Sequence, residues 1–422
     1  MHYHKTPQAV VRLARRHIPK SACKVLEPAV GEGALLEALY PSQLHKELTL
    51  VDIDHRRLDA IKAIYPDLSL INADFVYWSE YRNVPSFDLI ITNPPFSGRA
   101  ENWIRFGGQK APIEYAFFRR CVELLENKGT LVAIVPDTLI NSSRLSNERA
   151  WIFSQGAITY SYQLPERIFD KIEGAFYLLV FKKGAQQRFV KLRSLTGQPE
   201  IKVSKSTLIA TDYRLDHSFY RSTKNLNSFT PKNSTLLGEI CTVGRGPIRS
   251  NYKLVGNHHS NSFIEGFWQS FMTHKSSKLC IAVKRVSRNA HLSFGLFQIK
   301  DIDKSTDCLV FIKLNDNELT KVLFYLRVVM SNEDGKSLLL KGSGAKFIQV
   351  NDLKTIPYID IAGLFPTEYK EFTQAYYSLD ISLCLEIEKT IYSKLVWGES
   401  VSALRSSRKN NTKYSAQLSQ AI

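Results

Sequence analysis

Between Lys24 and Gly184 short apolar runs alternate with stretches of helical character: KVLEP then GALLEALY, LTLVDID then HRRLDAIKAIY, SLINADF, FDLIITNPP then IEYAFFRRCVELLEN, and TLVAIVPDTLI then SNERAWIFSQ. AITYSYQL and AFYLLVFKKG close the series. Continuous apolar runs suit strands buried on both faces, which a helix-covered, mainly parallel sheet provides. In such sheets ligands bind outside the carboxyl ends of the strands. The unusual residue clusters of this half all fall at those ends.

After Gly184 the rhythm gives way to polar, Ser- and Asn-rich segments with scattered strands such as LCIAVKRV and CLVFIKL. Helical character returns at ELTKVLFYLRVVM and over TEYKEFTQAYYSLDISLCLEIEKTIYSKLVW. A chain of 422 residues exceeds one ordinary core, so two domains are expected. The boundary is expected near residues 184 to 195, with domains at 1–184 and 190–398. The polar tail 399–422 is expected to be mobile.

The net charge of +16 is unevenly spread. Residues 185–300 hold 18 Lys+Arg against 5 Asp+Glu, a surplus of +13 in one segment, which points to a polyanionic partner. No apolar run is long enough to span a bilayer, and MHYHKTPQAV lacks the apolar core of a signal peptide, so a soluble cytoplasmic protein is expected. The six cysteines are scattered with no C-x-x-C pair, which argues against a zinc site or a disulfide framework. No metal is expected.

Four strand ends carry the chemistry. The first runs into LEPAVGEGALLEAL, where Gly31 and Gly33 permit a tight turn and close approach of a ligand to backbone amides. The second ends at Asp52 in VDID, where an acid commonly holds ribose hydroxyls. The third ends in NADF, with Asp74 and Phe75. The fourth ends in ITNPPF: proline cannot donate to a ladder, so the strand stops there, and two prolines hold Asn93, Pro94, Pro95 and Phe96 in a rigid corner.

E-P-x-x-G-x-G, the acid after strand two, A-D-F and N-P-P-F in this order resemble the class I S-adenosylmethionine-dependent amino-methyltransferases of DNA adenine. Motifs first and a large domain after them resemble the gamma class. The resemblance covers most of residues 4–184 and is thin beyond Gly184, where LGEICTVGRG and LLLKGSGAKFIQVNDLKTIPY look like pieces of target-recognition domains. It implies a Rossmann-like, mainly parallel seven-stranded sheet followed by a mixed α+β target-recognition domain. The cofactor implied is S-adenosylmethionine, with Thr6 at its carboxylate end and Glu27, Ala29 and Gly31 along its methionine part. Asp52 would take the ribose, Asp74 the adenine amino group with Phe75 beside it, and Ile53 and Phe117 the faces of the ring.

The resemblance further implies an exocyclic N6 amine held by the Asn93 side chain and the Pro94 carbonyl, in an adenine flipped from duplex DNA. Phe96 and Phe169 are the expected stacking faces; many relatives have tyrosine where Phe96 stands. Arg245, Arg249, Lys284, Arg285 and Arg288 are the expected DNA contacts, Lys284 to phosphate. The picture is of a monomer in the prokaryotic cytoplasm, associated with the nucleoid through DNA and compatible with a separate cognate endonuclease. N-P-P-aromatic also occurs in methyltransferases of RNA and of protein glutamine. RNA amino-methylation and a non-catalytic DNA-binding subunit are the alternatives. The E-x-K spacing at Glu200 to Lys202 has no acidic partner and reads as chance.

Overall fold

The computed structural model describes residues 5–44, 47–81, 83–97, 102–169, 174–248, 263–264, 267–268, 278–287, 292–341 and 346–397. The chain divides into two compact units, the first ending at His217 and the second beginning at Ser218. Arg249, Arg288 and the tail 399–422 lie outside the described residues.

The first unit is built on a sheet whose strands are β1 (Val25–Glu27), β2 (Leu48–Asp52), β3 (Ser69–Asn72), β4 (Phe87–Thr92), β5 (Leu125–Pro136), β6 (Gly156–Gln163), β7 (Phe176–Lys183), β8 (Phe189–Ser194) and β9 (Ile201–Ser204). Their spatial order is β3-β2-β1-β4-β5-β7-β6-β8-β9. From β3 through β5 every pairing is parallel, and β7 runs antiparallel to both β5 and β6. The apolar runs of β1, β2 and β4 are buried on both faces, as parallel pairing requires. On one face Val25, Leu50, Leu89 and Val132 join a core with helices α1 (Gln8–Arg15) and α2 (His55–Ile64). On the other, α4 (Ile113–Leu124) sets Phe118 against Phe181, with ring centroids 6.3 Å apart. A short helix α3 (Phe75–Trp78) follows β3.

The sheet has nine strands where seven were expected, and the first unit continues past the expected boundary at 184–195. FVKLRS alternates strictly, with Val190 and Leu192 buried and Lys191 and Arg193 facing outward, so β8 extends the sheet with only half its residues apolar. The segment up to His217 is stitched on by Arg149, whose Nε and Nη2 donate to the Asp212 carbonyl at 3.0 and 2.7 Å. Ser161 Oγ donates to the Leu215 carbonyl at 2.8 Å. Six cations of the basic segment, Arg188, Lys191, Arg193, Lys202, Lys205 and Arg214, therefore belong to the first unit.

The second unit contains a four-stranded antiparallel sheet in the order Thr242–Arg245, Leu309–Lys313, Leu279–Lys284, Phe294–Gln298. Ile281, Phe294, Leu296 and Ile312 share a core with Val322, Phe324 and Phe372 from its helices, the mixed α+β arrangement expected. The long C-terminal helical stretch is two helices, Pro366–Ser378 and Ile381–Trp397, broken where Leu379 adopts a left-handed φ of 63°. No helix among the described residues is long and apolar enough to cross a membrane.

At the β6–β7 hairpin the chains approach so closely that a Cβ on Gly156 would lie 2.2 Å from the Lys182 carbonyl oxygen. Gly156→Ala is therefore expected to force β6 from β7 at a cost of about 1–3 kcal/mol. Denaturant titration of the full chain should show a lowered first transition, and an unchanged midpoint would mean that the hairpin absorbs a methyl group freely.

Candidate active site

The strand order reverses at β1, which has β2 on one side and β4 on the other, and this reversal opens a crevice at the carboxyl ends. A cavity of about 310 Å³ lies there, lined by Pro28, Ala29, Asp52 to Asp54, Arg57, Ala73 to Phe75, Asn93 to Phe96, Ile113 and Phe117. All four motifs thus contribute to one wall. The turn after β1 uses left-handed φ values of 55° at Gly31 and 78° at Gly33, which only glycine adopts cheaply. Its helical segment, Ala34–Ala38, is a 3-10 helix rather than an α-helix.

Asp52 is 6% exposed and ties the turn to β2. Its Oδ2 accepts from the Gly31 amide at 2.8 Å, its Oδ1 from the Asp54 amide at 2.9 Å, and Arg57 Nη1 stands 3.9 Å from Oδ1. A carboxylate oxygen has two lone pairs, so each retains one for a ribose hydroxyl. Glu27, buried at the end of β1, has no hydrogen-bond partner for Oε2 among the described residues. Burial, then the charge of Asp52, holds its carboxyl well above the usual carboxylate range. An orphaned carboxyl beside the turn suits a ligand ammonium, the group carried by the methionine end of S-adenosylmethionine.

Asp74 combines two expectations. Its Oδ1 caps α3, accepting from the Val76 and Tyr77 amides at 2.9 and 3.4 Å, which leaves Oδ2 for a ligand. Phe75 and Phe117 pack with ring centroids 4.9 Å apart, and they line the cavity together with Ile53, which is 70% exposed. The residues present fit the cofactor.

Asn93 Nδ2 donates to Thr6 Oγ1 at 3.0 Å, which fixes the orientation of the carboxamide and leaves Oδ1, itself buried, as its acceptor atom. Thr6 is buried and meets the crevice through Asn93, as Gly31 does through Asp52. Phe96 is half-buried, with its centroid 4.9 Å from Phe176 and 6.3 Å from Phe169. Phe169 departs from expectation: it is 2% exposed, 4.9 Å from Phe176 and part of the core beneath Phe96, so its faces are committed to packing. It packs beneath Phe96 and offers no free face for a second stacking partner.

A buried clamp behind the corner was not foreseen. Glu114, 2% exposed in the first turn of α4, accepts from the Ser97 amide at 2.9 Å and from Ser97 Oγ at 2.8 Å. Its other oxygen accepts from Thr138 Oγ1 at 3.3 Å. Ser97 directly follows Phe96, and its Oγ also accepts from the Ile113 amide at 2.8 Å. The signal in the sequence was an acid on the apolar face of IEYAFF. In the second unit Arg245 is exposed at its strand end and Lys284 is half-buried, its pKa lowered by that burial. Arg285 donates through Nη2 to Asp307 at 2.8 Å.

Residues 39–169, which contain three of the four motifs, match the family described as Eco57I restriction-modification methylase. The chain is 29% identical over 202 residues to the Type II methyltransferase M.TthHB8I of Thermus thermophilus, a match covering 43% of this chain and 45% of that protein. It is 24% identical over 210 residues to the Type I restriction enzyme EcoEI methylase subunit of Escherichia coli, covering 42% of each. The chain thus spans under half the length of either relative. The Type IIL restriction-modification enzyme MmeI, solved in complex with DNA, has the same fold at 9% identity and TM-score 0.51, over 92% of this chain and 71% of that one.

Removing the Glu114 carboxylate would release the chain that follows Phe96. Glu114→Ala is expected to lower methyl transfer by roughly 10- to 100-fold, since a misplacement of about 1 Å can cost about 10²-fold. Glu114→Gln, which keeps one acceptor, should fall between. Single-turnover rates beside cofactor titrations decide it: equal loss of rate and of cofactor affinity would mean that the clamp merely holds the fold.

Proposed function

We propose that this chain transfers the methyl group of S-adenosylmethionine to the N6 amine of an adenine flipped out of duplex DNA, with the motif order of the gamma class. The observation that carries this reading is Asn93 held by Thr6 on the two-proline corner, beside Phe96 and within the cavity that Asp52 and Asp74 line. The match of residues 39–169 to the restriction-modification methylase family supports it, as does the basic surplus of residues 185–300.

The bound cofactor supplies a methyl on a positively charged sulfur. The amine is a poor nucleophile because its lone pair is delocalised into the ring. Asn93 Oδ1 and the Pro94 carbonyl accept its two hydrogens, so the nitrogen pyramidalises and its lone pair points toward the methyl. Transfer would return the sulfur–carbon electron pair to the cofactor's sulfur and leave a methylated nitrogen with one proton too many, which would pass to water. Positive charge growing on nitrogen is stabilised by the two preset acceptors. Positioning carries much of the rest, worth roughly 7–11 kcal/mol when the geometry is held in advance.

Phe96 stacks on the extrahelical base and offsets part of the few kcal/mol that flipping costs. The second unit is assigned to reading the target sequence, with Lys284 on phosphate and Arg245 among the candidate base readers. The chain acts as a monomer on duplex DNA, alongside a separate endonuclease where one exists. Asn93→Ala should leave the dissociation constants for cofactor and DNA nearly unchanged while turnover falls by several orders of magnitude, because Asn93 acts on the transition state. Normal turnover in that variant would end the assignment.

A further inference from the structure

Strands β8 and β9 carry a basic face that continues the aromatic face of β6, where Tyr162 is buried against α1 while Arg193 and Lys202 are exposed. On it Lys191 and Arg193 of β8 pair in register with Tyr160 and Tyr162 of β6, and Lys191 stands directly opposite Lys202 of β9. Lys191 Nζ donates to Tyr160 Oη at 3.1 Å, and the Arg193 guanidinium lies 5.4 Å from the Tyr160 ring centroid. Tyr160 and Tyr162 stack at 5.5 Å, and His17, at the end of α1, shares a 2.8 Å hydrogen bond with Tyr162 Oη. Arg16 stands exposed beside it. One carboxylate, Glu200, answers Arg193 at 2.6 Å.

Two features of this face bear on what it could bind. Like charges directly opposite on an antiparallel pair destabilise it, so Lys191 against Lys202 costs stability unless an anion lies over them. A face of an α/β sheet is ordinarily covered by a helix and apolar, whereas Lys202 and Arg193 are exposed here. Burial, together with Arg193 and Arg16, pushes His17 down to about 4, so its ring is neutral at pH 7.

We propose that this face is a second DNA-binding surface, on the methylase unit itself, which receives phosphates of the duplex flanking the reacting base. The inference rests on the reading that the substrate is duplex DNA. β8 lies four strands from β4 and β9 five, which at ~4.8 Å per strand puts the face ~19–24 Å from the Asn93 corner. Half a turn of B-DNA is ~17 Å, so a duplex whose flipped base enters the crevice brings its backbone near the lysines about half a turn away. The strands β6 and β8 are parallel to β4's direction of travel through the sheet, so Tyr162 and Arg193 lie toward the same carboxyl side as the crevice.

The test is equilibrium binding of the full chain to a short duplex of arbitrary sequence across a range of salt. Each phosphate contact contributes a slope of about −0.9, so Lys191→Ala with Lys202→Ala should make the slope shallower by about 1.8 and weaken all sequences alike. Lys202→Glu separates this role from a structural one: it pairs with Lys191 and should raise the thermal midpoint while lowering DNA affinity. An unchanged slope, with wild-type DNA methylation intact, overturns this inference alone. Slope changes on structured RNA with none on duplex overturn it too. A wild-type chain that does not bind duplex at all overturns both this inference and the reading beneath it.

Discussion

The 2.8 Å hydrogen bond from the Gly31 amide to buried Asp52 joins the turn after β1 to the end of β2, and the crevice exists because of it. The bond works in both directions. Asp52 holds a left-handed turn against β2, and the amides of Gly31 and Asp54 with the Arg57 guanidinium face its buried carboxylate charge. That charge acts on Glu27 at the end of the neighbouring strand, whose own carboxyl is held back from ionising by burial and by Asp52. The pair is prepared for a ligand that brings hydroxyls to one and a cation to the other. Thr6 on Asn93 and Glu114 on Ser97 do for the fourth strand end what Gly31 does for the first: each fixes a polar group from behind, leaving the front of the crevice to ligands.

The four strand-end motifs were legible because each is local. A tight glycine turn, an acid at a strand end and a proline corner are written in consecutive residues, and the parallel order then collects them without further information. The features that were not legible depend on partners distant in the chain. Phe169 reads as an exposed loop aromatic until Phe96 and Phe176 close over it. Glu114 becomes a clamp through Ser97 and Thr138, respectively 17 and 24 positions away. Strands β8 and β9 were hidden by their polarity: period-two alternation with Lys and Arg outward looks like a linker when only apolar content is followed. The boundary was placed too early for the same reason.

This correction changes the meaning of the basic segment. Along the chain, the +13 surplus of residues 185–300 belongs to one trailing segment; in the fold, six of its cations join the first unit and the rest fall beyond His217. Basic residues of that segment are then present in both units. In the first unit it is arranged with tyrosines at a sheet edge, where its cost to stability is visible as two lysines face to face.

The central claim is chemical: the Asn93–Pro94 corner presents acceptors to the exocyclic amine of adenine. The most direct measurement is to incubate duplex DNA with the full chain and S-adenosylmethionine carrying an isotopic methyl, digest the product to nucleosides, and identify the labelled species by chromatography and mass spectrometry. The account predicts label in N6-methyldeoxyadenosine. Label in N4-methyldeoxycytidine, or label that enters RNA or protein while duplex DNA stays unmodified, would contradict it.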